Sequence, residues 1–364
     1  MNETIAASFT ATSTRPVFSD NRSAFRRLVM RGAMLELVTV GFYRFWLATD
    51  MRRHMWSHTS VAGDAGEYTG TARELLIGFL FALAILAPLY LLYFLAGLEA
   101  ERVKTLASLP LGLFFYVFMQ FAIYRARRYR LTRTVWRGVR FSMVGSGLNF
   151  AWRAGLWSLL VALTLGLALP WRQAALERFK MRHTSYGDLP GRFDGKGWDL
   201  FKRGWWLWLA VWLIFIALIA ATAAIAALKL KQAAAISILA PFLLLFGLPF
   251  IYAAYKAIEW RWWLSGIRFG AVSFASDLKR RALIGLYWKV IGWGVLLVIG
   301  LSVLVGIVVG VAVMLVGGGT AAEKAVLASQ HLPVLIGAGL SYVVAALAFG
   351  VVIRMYLIMT CGNG

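Results

Sequence analysis

Three strongly hydrophobic helical hairpins occupy most of this chain, and each adjoins an arginine-rich stretch that partly repeats its neighbours. The arms are 75–97 and 106–124, then 205–228 and 236–255, then 283–316 and 332–354. A helix needs roughly 20 apolar residues to cross a bilayer, and these six runs reach or approach that length. The pattern predicts an integral membrane protein built by internal repetition, all-α and polytopic, with small β-like turns on the cytoplasmic side. Two further apolar segments, 27–46 and 152–171, are shorter or interrupted, by Arg31, Glu36 and Arg44 in one and by Pro170 in the other. They are expected to insert partially or re-enter.

Charge sets the expected orientation. Lys plus Arg number 38 against 16 acids, a net charge of +22. The arginines sit in short segments beside the apolar runs, which the positive-inside rule explains and nucleic-acid binding does not. Residues 125–151 carry seven arginines and no acid, and 171–204 carry eight basic residues. The hairpin tips 99–105, 229–235 and 317–331 carry two, two and one. Both basic stretches therefore belong in the cytoplasm, as do both chain ends. A full crossing at 152–171 would separate them. The competing reading makes that segment a seventh span, and an eighth follows if 27–46 also crosses. The polar opening, 1–23, shows no cleaved signal peptide. A lone cysteine, Cys361, excludes a disulfide framework within the chain.

The repeat is legible in the residues. His58–Thr59–Ser60 matches His183–Thr184–Ser185 at an offset of 125, and Val38–Thr39–Val40–Gly41 with Trp46 matches Leu163–Thr164–Leu165–Gly166 with Trp171. Gly138–Val139–Arg140–Phe141 matches Gly266–Ile267–Arg268–Phe269 at an offset of 128. These divide the chain into a polar N-terminus (1–26), a first unit (27–151), a second (152–282) and a third hairpin with a short tail (283–364).

The motifs resemble a family of bacterial inner-membrane proteins of uncharacterised function, the YjgN-like or DUF898 family. The resemblance lies in Thr39–Val40–Gly41–Phe42–Tyr43–Arg44–Phe45–Trp46, Arg52–Arg53, His58–Thr59, Tyr68–Thr69–Gly70–Thr71 with Glu74–Leu75, and Trp136–Arg137–Gly138–Val139–Arg140–Phe141. It covers the chain from about Phe18 onward. It implies a multi-pass protein of the bacterial inner membrane, and it supplies no catalytic residue or substrate. Two features depart from the family pattern: the region around Phe18 lacks a glycine-rich opening, and no basic, tryptophan-bearing segment follows Arg354.

No catalytic constellation emerges, and no cofactor or metal is expected. His54 and His58 are one helical turn apart but lack the glutamate of a zinc-protease motif. A His58/His183 polar pair is the sharper idea, against ordinary surface hydrogen bonding as the default. Interrupted segments at matching places in two repeats are where a transport pathway is sought, so Thr39, Gly41, Thr164, Gly166 and the embedded acid Glu36 are the candidate centre. Arg128, Arg140 and Arg268 are candidates for contact with anionic lipid headgroups or a protein partner, although structural anchoring is the commoner role for such residues. Gly306 and Gly310 form a small-xxx-small pair for helix packing, within the chain first and between copies of a homo-oligomer second. The leading expectation is passage or handling of a small solute or lipid. The second is a non-transporting scaffold that engages anionic lipid or a partner through its basic face.

Overall fold

The computed structural model describes residues 14–19, 22–99, 101–228, 247–276 and 280–315. The second arm of the third hairpin, 332–354, and the start of the arm at 236–255 lie outside them. In chain order the elements are β1 (Val17–Phe18), α1 (Arg22–Val38), α2 (Arg44–Ser57), β2 (Thr59–Val61), β3 (Asp64–Tyr68), α3 (Ala72–Glu99) and α4 (Glu101–Thr132). Next come β4 (Thr134–Trp136), β5 (Val139–Met143), α5 (Gly147–Leu163), α6 (Leu169–Arg182), β6 (Thr184–Tyr186), β7 (Leu189–Phe193) and α7 (Gly197–Leu228). The last are α8 (Leu248–Gly266), β8 (Ile267–Phe269), β9 (Val272–Ser273) and α9 (Arg280–Leu315).

The described residues are mostly helical, as expected, but the β-like turns expected beside the helices are strands of a sheet, so the all-α part of the expectation is corrected. The nine strands among the described residues form one antiparallel sheet in sequence order, β1 to β9. Four of its links are tight hairpins with two-residue loops, at 62–63, 137–138, 187–188 and 270–271. The loop geometry follows the residues. Ala62–Gly63 and Arg137–Gly138 have positive φ at both positions, as a type I′ turn requires, whereas Gly187 and Gly270 have it at the first position alone, as type II′ requires. Both turn types match the twist of the flanking strands.

The other four links close over helices. β1 pairs with β2 across α1–α2, β3 with β4 across α3–α4, β5 with β6 across α5–α6, and β7 with β8 across the segment containing α7 and α8. Every helix pair thus leaves the sheet and returns to an adjacent strand. Short pairs, α1–α2 and α5–α6, alternate with long ones. Trp136, Arg140 and Arg192 consequently share one end of the molecule, because Phe141 to Met143 are hydrogen-bonded to Thr184 to Tyr186.

Two described helices are long and apolar enough to cross a membrane, over Ala72–Leu95 and Gly197–Ala224. They hold the expected spans 75–97 and 205–228. The most apolar stretch of the first has no buried residue, and that of the second almost none. Phe81, Leu92, Leu213 and Ile219 all point outward. Each start is fixed locally. Thr71 and Glu74 form a reciprocal capping box at the head of α3, and Glu74 also accepts hydrogen bonds from Tyr129 of α4 and from Arg133 just past its end. The apolar core lies in three clusters nearer the sheet: Phe25, Val29, Leu47 and Met51 inside the first short pair, Tyr124, Met143, Phe150 and Leu176 in the middle, and Phe193, Leu200, Leu207 and Trp262 beyond.

Candidate functional site

The segments 27–46 and 152–171 are not single helices; each contains a helix reversal. In the first, Val40 adopts φ +51° and Gly41 +89°; in the second, Leu165 adopts +51° and Gly166 +91°. The hydrogen bonds repeat as well. Gly41 N–H donates to Glu36 O and Gly166 N–H to Val161 O, both at 2.7 Å, while Val40 and Leu165 donate three residues back. This is a Schellman ending, in which the orphan carbonyls of a helix C-terminus are satisfied by a left-handed residue and its successor. The threonine explains the rest of the motif. Thr39 Oγ1–H donates to Leu35 O and accepts from Tyr43 N–H; Thr164 Oγ1–H donates to Leu160 O and accepts from Ala168 N–H. One hydroxyl therefore links the end of each helix to the beginning of the next. Glu36 is buried, one turn beyond Gly32, whose missing side chain makes room for Leu47.

The two reversals have different surroundings. Trp208 and Trp212 of α7 both donate their indole N–H to Leu165 O, at 2.9 and 3.1 Å. These tryptophans stand about 16–22 Å along α7, whose axis is roughly 48 Å at 1.5 Å per residue. The tip of the second short pair therefore docks part-way up the long helix. It borders an apolar cleft of about 340 Å³ that also involves Pro170, Trp205 and Tyr255.

His58 and His183 occupy equivalent places but do not form a pair with each other among the described residues. Each is the C-cap of its helix, and each donates from Nδ1 to a carbonyl of its own last turn, His54 O or Phe179 O, at 2.7 Å. The Gly-x-Arg-Phe match is also refined. Gly138–Phe141 is a turn and the start of a second strand, whereas Gly266–Phe269 is a helix end and a first strand. Hairpin equivalence pairs Arg137 with Gly270, so Arg140 and Arg268 occupy different strands. Arg140 is exposed on β5, and Arg128 is half-buried on α4. Gly306 lies in α9 with open space where a side chain would stand, and Gly310 lies in the same helix.

Arg268 has company that the linear sequence conceals. It lines an open cavity of about 1150 Å³ together with Arg178, Arg182, Arg192, Lys196 and Asp194. Arg192 and Arg268 are register partners on β7 and β8, a like-charge juxtaposition that by itself opposes pairing. Asp194 relieves it, accepting from Arg192 Nε at 2.8 Å and lying 3.6 Å from Arg268 Nε. Five cations face one carboxylate. Arg178 and Arg182 are four residues apart on α6, so a helical register over 169–182 was the available signal.

A second charged set, also missed, ties α6 to α4. Glu177 is buried and accepts from Arg127 at 2.9 Å, with Lys180 on its other oxygen. Burial opposes the charge on Glu177, yet Lys180 and Arg127 outweigh it and hold the carboxyl below its usual range. Burial also pushes the Lys180 ammonium down. In the first turn of α6, Arg172 donates to Ser158 Oγ at 3.0 Å and to Tyr116 Oη at 3.3 Å.

No curated protein and no solved structure matches this chain. The pattern of a family described as bacterial protein of unknown function, DUF898, matches residues 13–296. That span contains both helix reversals, all four β-hairpins and the basic cavity, and the chain belongs to the DUF898 family.

Proposed function

We propose that this is a multi-pass protein of the bacterial inner membrane that acts as a scaffold, binding anionic lipid headgroups in the cavity at the sheet end of its helices. The observation that carries the reading is the excess of positive charge there, Arg178, Arg182, Arg192, Lys196 and Arg268 against Asp194. Guanidinium groups suit phosphate oxygens through paired N–H donors. The membrane setting draws support from the outward apolar faces of α3 and α7, since soluble monomers rarely expose large apolar patches. Pairing of β5 with β6 supports a cytoplasmic sheet with the 152–171 segment entering and leaving on one side. The proposed arrangement has six spans, two half-depth helix pairs and cytoplasmic chain ends.

Passage of a solute is the second reading. The hydrogen-bonded set of Arg172, Ser158 and Tyr116 among the helices favours it, since intramembrane charge is expensive without a role. Against it, the Thr164–Gly166 reversal borders an apolar cleft and not a polar path.

The test compares lipid retention by the purified full chain. Phosphatidylglycerol should be retained in preference to phosphatidylcholine, and Arg192→Gln/Arg268→Gln should erase most of that preference. At roughly 1 kcal/mol per basic residue near a membrane surface, the two changes together remove about 30-fold. An unchanged preference would overturn the assignment.

A further inference from the structure

The cleft under the second reversal is apolar on nearly every side, but one polar atom in its wall stands out. The Tyr255 hydroxyl is buried and finds no hydrogen-bond partner among the described residues. A hydroxyl removed from water without a new bond is unfavourable, so native structures rarely leave one unused. The indole N–H groups of Trp208 and Trp212 are already committed to Leu165 O. Tyr255 is therefore an uncommitted donor in the wall of a site otherwise lined by rings and methyl groups.

The rim indicates what enters. Leu165, Trp205 and Tyr252 of its lining are about half exposed or more, and Leu159, Leu163, Leu209 and Leu213 on α5 and α7 are exposed as well. In a bilayer these side chains face acyl chains. Depth agrees with one particular part of a lipid. Tyr255 lies eleven residues before the end of α8, about 16 Å from the sheet. Lys202 and Arg203, exposed in the second turn of α7, mark the headgroup level, with Trp205 and Trp206 just beyond in the manner of an interfacial belt. The layer immediately inside is where ester carbonyls sit.

We propose that this cleft is a specific phospholipid site, with one acyl chain along Trp208 and Trp212 and its ester carbonyl oxygen accepting the Tyr255 hydroxyl proton. The site rests on the membrane reading above but not on the basic cavity. Gly204 gives the means of closing it. A Cβ there would sit 3.6 Å from the Tyr255 ring, an ordinary contact, so a longer side chain grows into the cleft without disturbing the backbone.

The full chain is reconstituted in phosphatidylcholine vesicles, extracted gently in detergent, and the phospholipid retained per chain counted by native mass spectrometry. Phosphatidylcholine is the probe because its zwitterionic headgroup gives the basic cavity little purchase. The expected result is one retained molecule on the unaltered chain and none on Gly204→Leu. Tyr255→Phe, which removes a single oxygen, should lower retention roughly three- to tenfold, the worth of one neutral hydrogen bond. It decides alone if Gly204→Leu fails to fold. Full retention by Tyr255→Phe, or none on the unaltered chain, overturns the site. The Arg192→Gln/Arg268→Gln chain should keep its phosphatidylcholine, so loss of the basic-cavity reading and loss of this one give different outcomes. A chain that does not float with the vesicles overturns both.

Discussion

The two short helix pairs, α1–α2 and α5–α6, turn on the same device and are held by different forces. Their reversals agree to within 2° in φ, Val40 with Leu165 and Gly41 with Gly166. Beyond the turn the likeness ends. The first pair packs on itself through Gly32 against Leu47. The second is tied to α7 by two indole hydrogen bonds and to α4 by a buried ion cluster. Position 177, a glutamate there, corresponds at the 125 offset to Arg52, which merely donates to Tyr68 Oη at 3.1 Å. Duplication thus supplied a local turn twice, and side chains outside the turn gave one copy a fixed place among the long helices.

The sharpest way to break the comparison is to remove the buried carboxylate. Glu177→Gln leaves Arg127 and Lys180 confined together without a counter-charge, and breaking a buried pair from one side costs about 3–5 kcal/mol. Arg52→Met in the first pair loses one partly buried hydrogen bond, about 1 kcal/mol. Thermal unfolding of the two variants should differ accordingly, and equal losses would show that the ion cluster does not anchor the second pair. The pH dependence has a definite sign. The Glu177 carboxyl titrates lower in the fold than in the unfolded chain, so its stabilisation is complete above the ordinary value of 4.5 and is lost as pH falls through the folded value. Lys180 is also lowered, so the unfolded chain again holds the extra proton; that penalty disappears as pH rises toward 10.5. Both groups make acid the destabilising direction, and Glu177→Gln should flatten the acid limb.

Glycine substitution probes the turn itself. Gly166→Ala places a Cβ on a residue at φ +91° whose nearest neighbour is the docked Trp208 Nε1 at 3.4 Å, so any backbone shift that relieves the strain is felt by the indole. The left-handed conformation alone costs roughly 1–2 kcal/mol for a residue with a side chain. Gly41→Ala meets the same backbone cost at φ +89°, but among the described residues no indole is donated across its turn. A larger loss of melting temperature is expected for Gly166→Ala. If the two variants melt alike, the docking on Trp208 and Trp212 adds nothing to the turn.

What the residues disclosed in advance divides along physical lines. The helix pairs were legible because apolar runs of twenty residues leave little choice, and the repeated Thr-x-Gly marked both reversals even though its geometry was not evident. The sheet was legible only as small β-like turns; the pairing that joins them was not. Its strands span two to five residues, too few for a periodic signal, and two of its tight turns place Ala62 and Arg137, not glycine, at positive φ. Pairing such as Phe141 with Tyr186 joins residues separated by an entire helix pair. The basic cavity was half legible: Arg268 stood out in a repeated block, whereas Arg178, Arg182, Arg192 and Lys196 join it only through the β7–β8 register and the face of α6. Glu177 looked like one more charge in a basic stretch until Arg127, fifty residues away, was found against it.

The smallest effect belongs to the sheet, where the two halves also differ. Asp64 and Arg137 join the first and second β-hairpins at 2.5 Å, with both side chains about half exposed. Asp194 in the other half divides itself between Arg192 and Arg268 and so separates like charges on paired strands. Solvent and salt screen the first pair, and exposed pairs contribute about 0–1 kcal/mol. Asp64→Asn should therefore shift the unfolding midpoint barely, and less in high salt. Asp194→Asn should cost more, because it leaves two facing arginines with no carboxylate between them, and added salt should partly restore the loss by screening their repulsion. Equal, salt-independent shifts for the two variants would mean that the Arg192–Arg268 juxtaposition is not under electrostatic strain, and that the cavity they line offers less pull on a phosphate than its charge suggests.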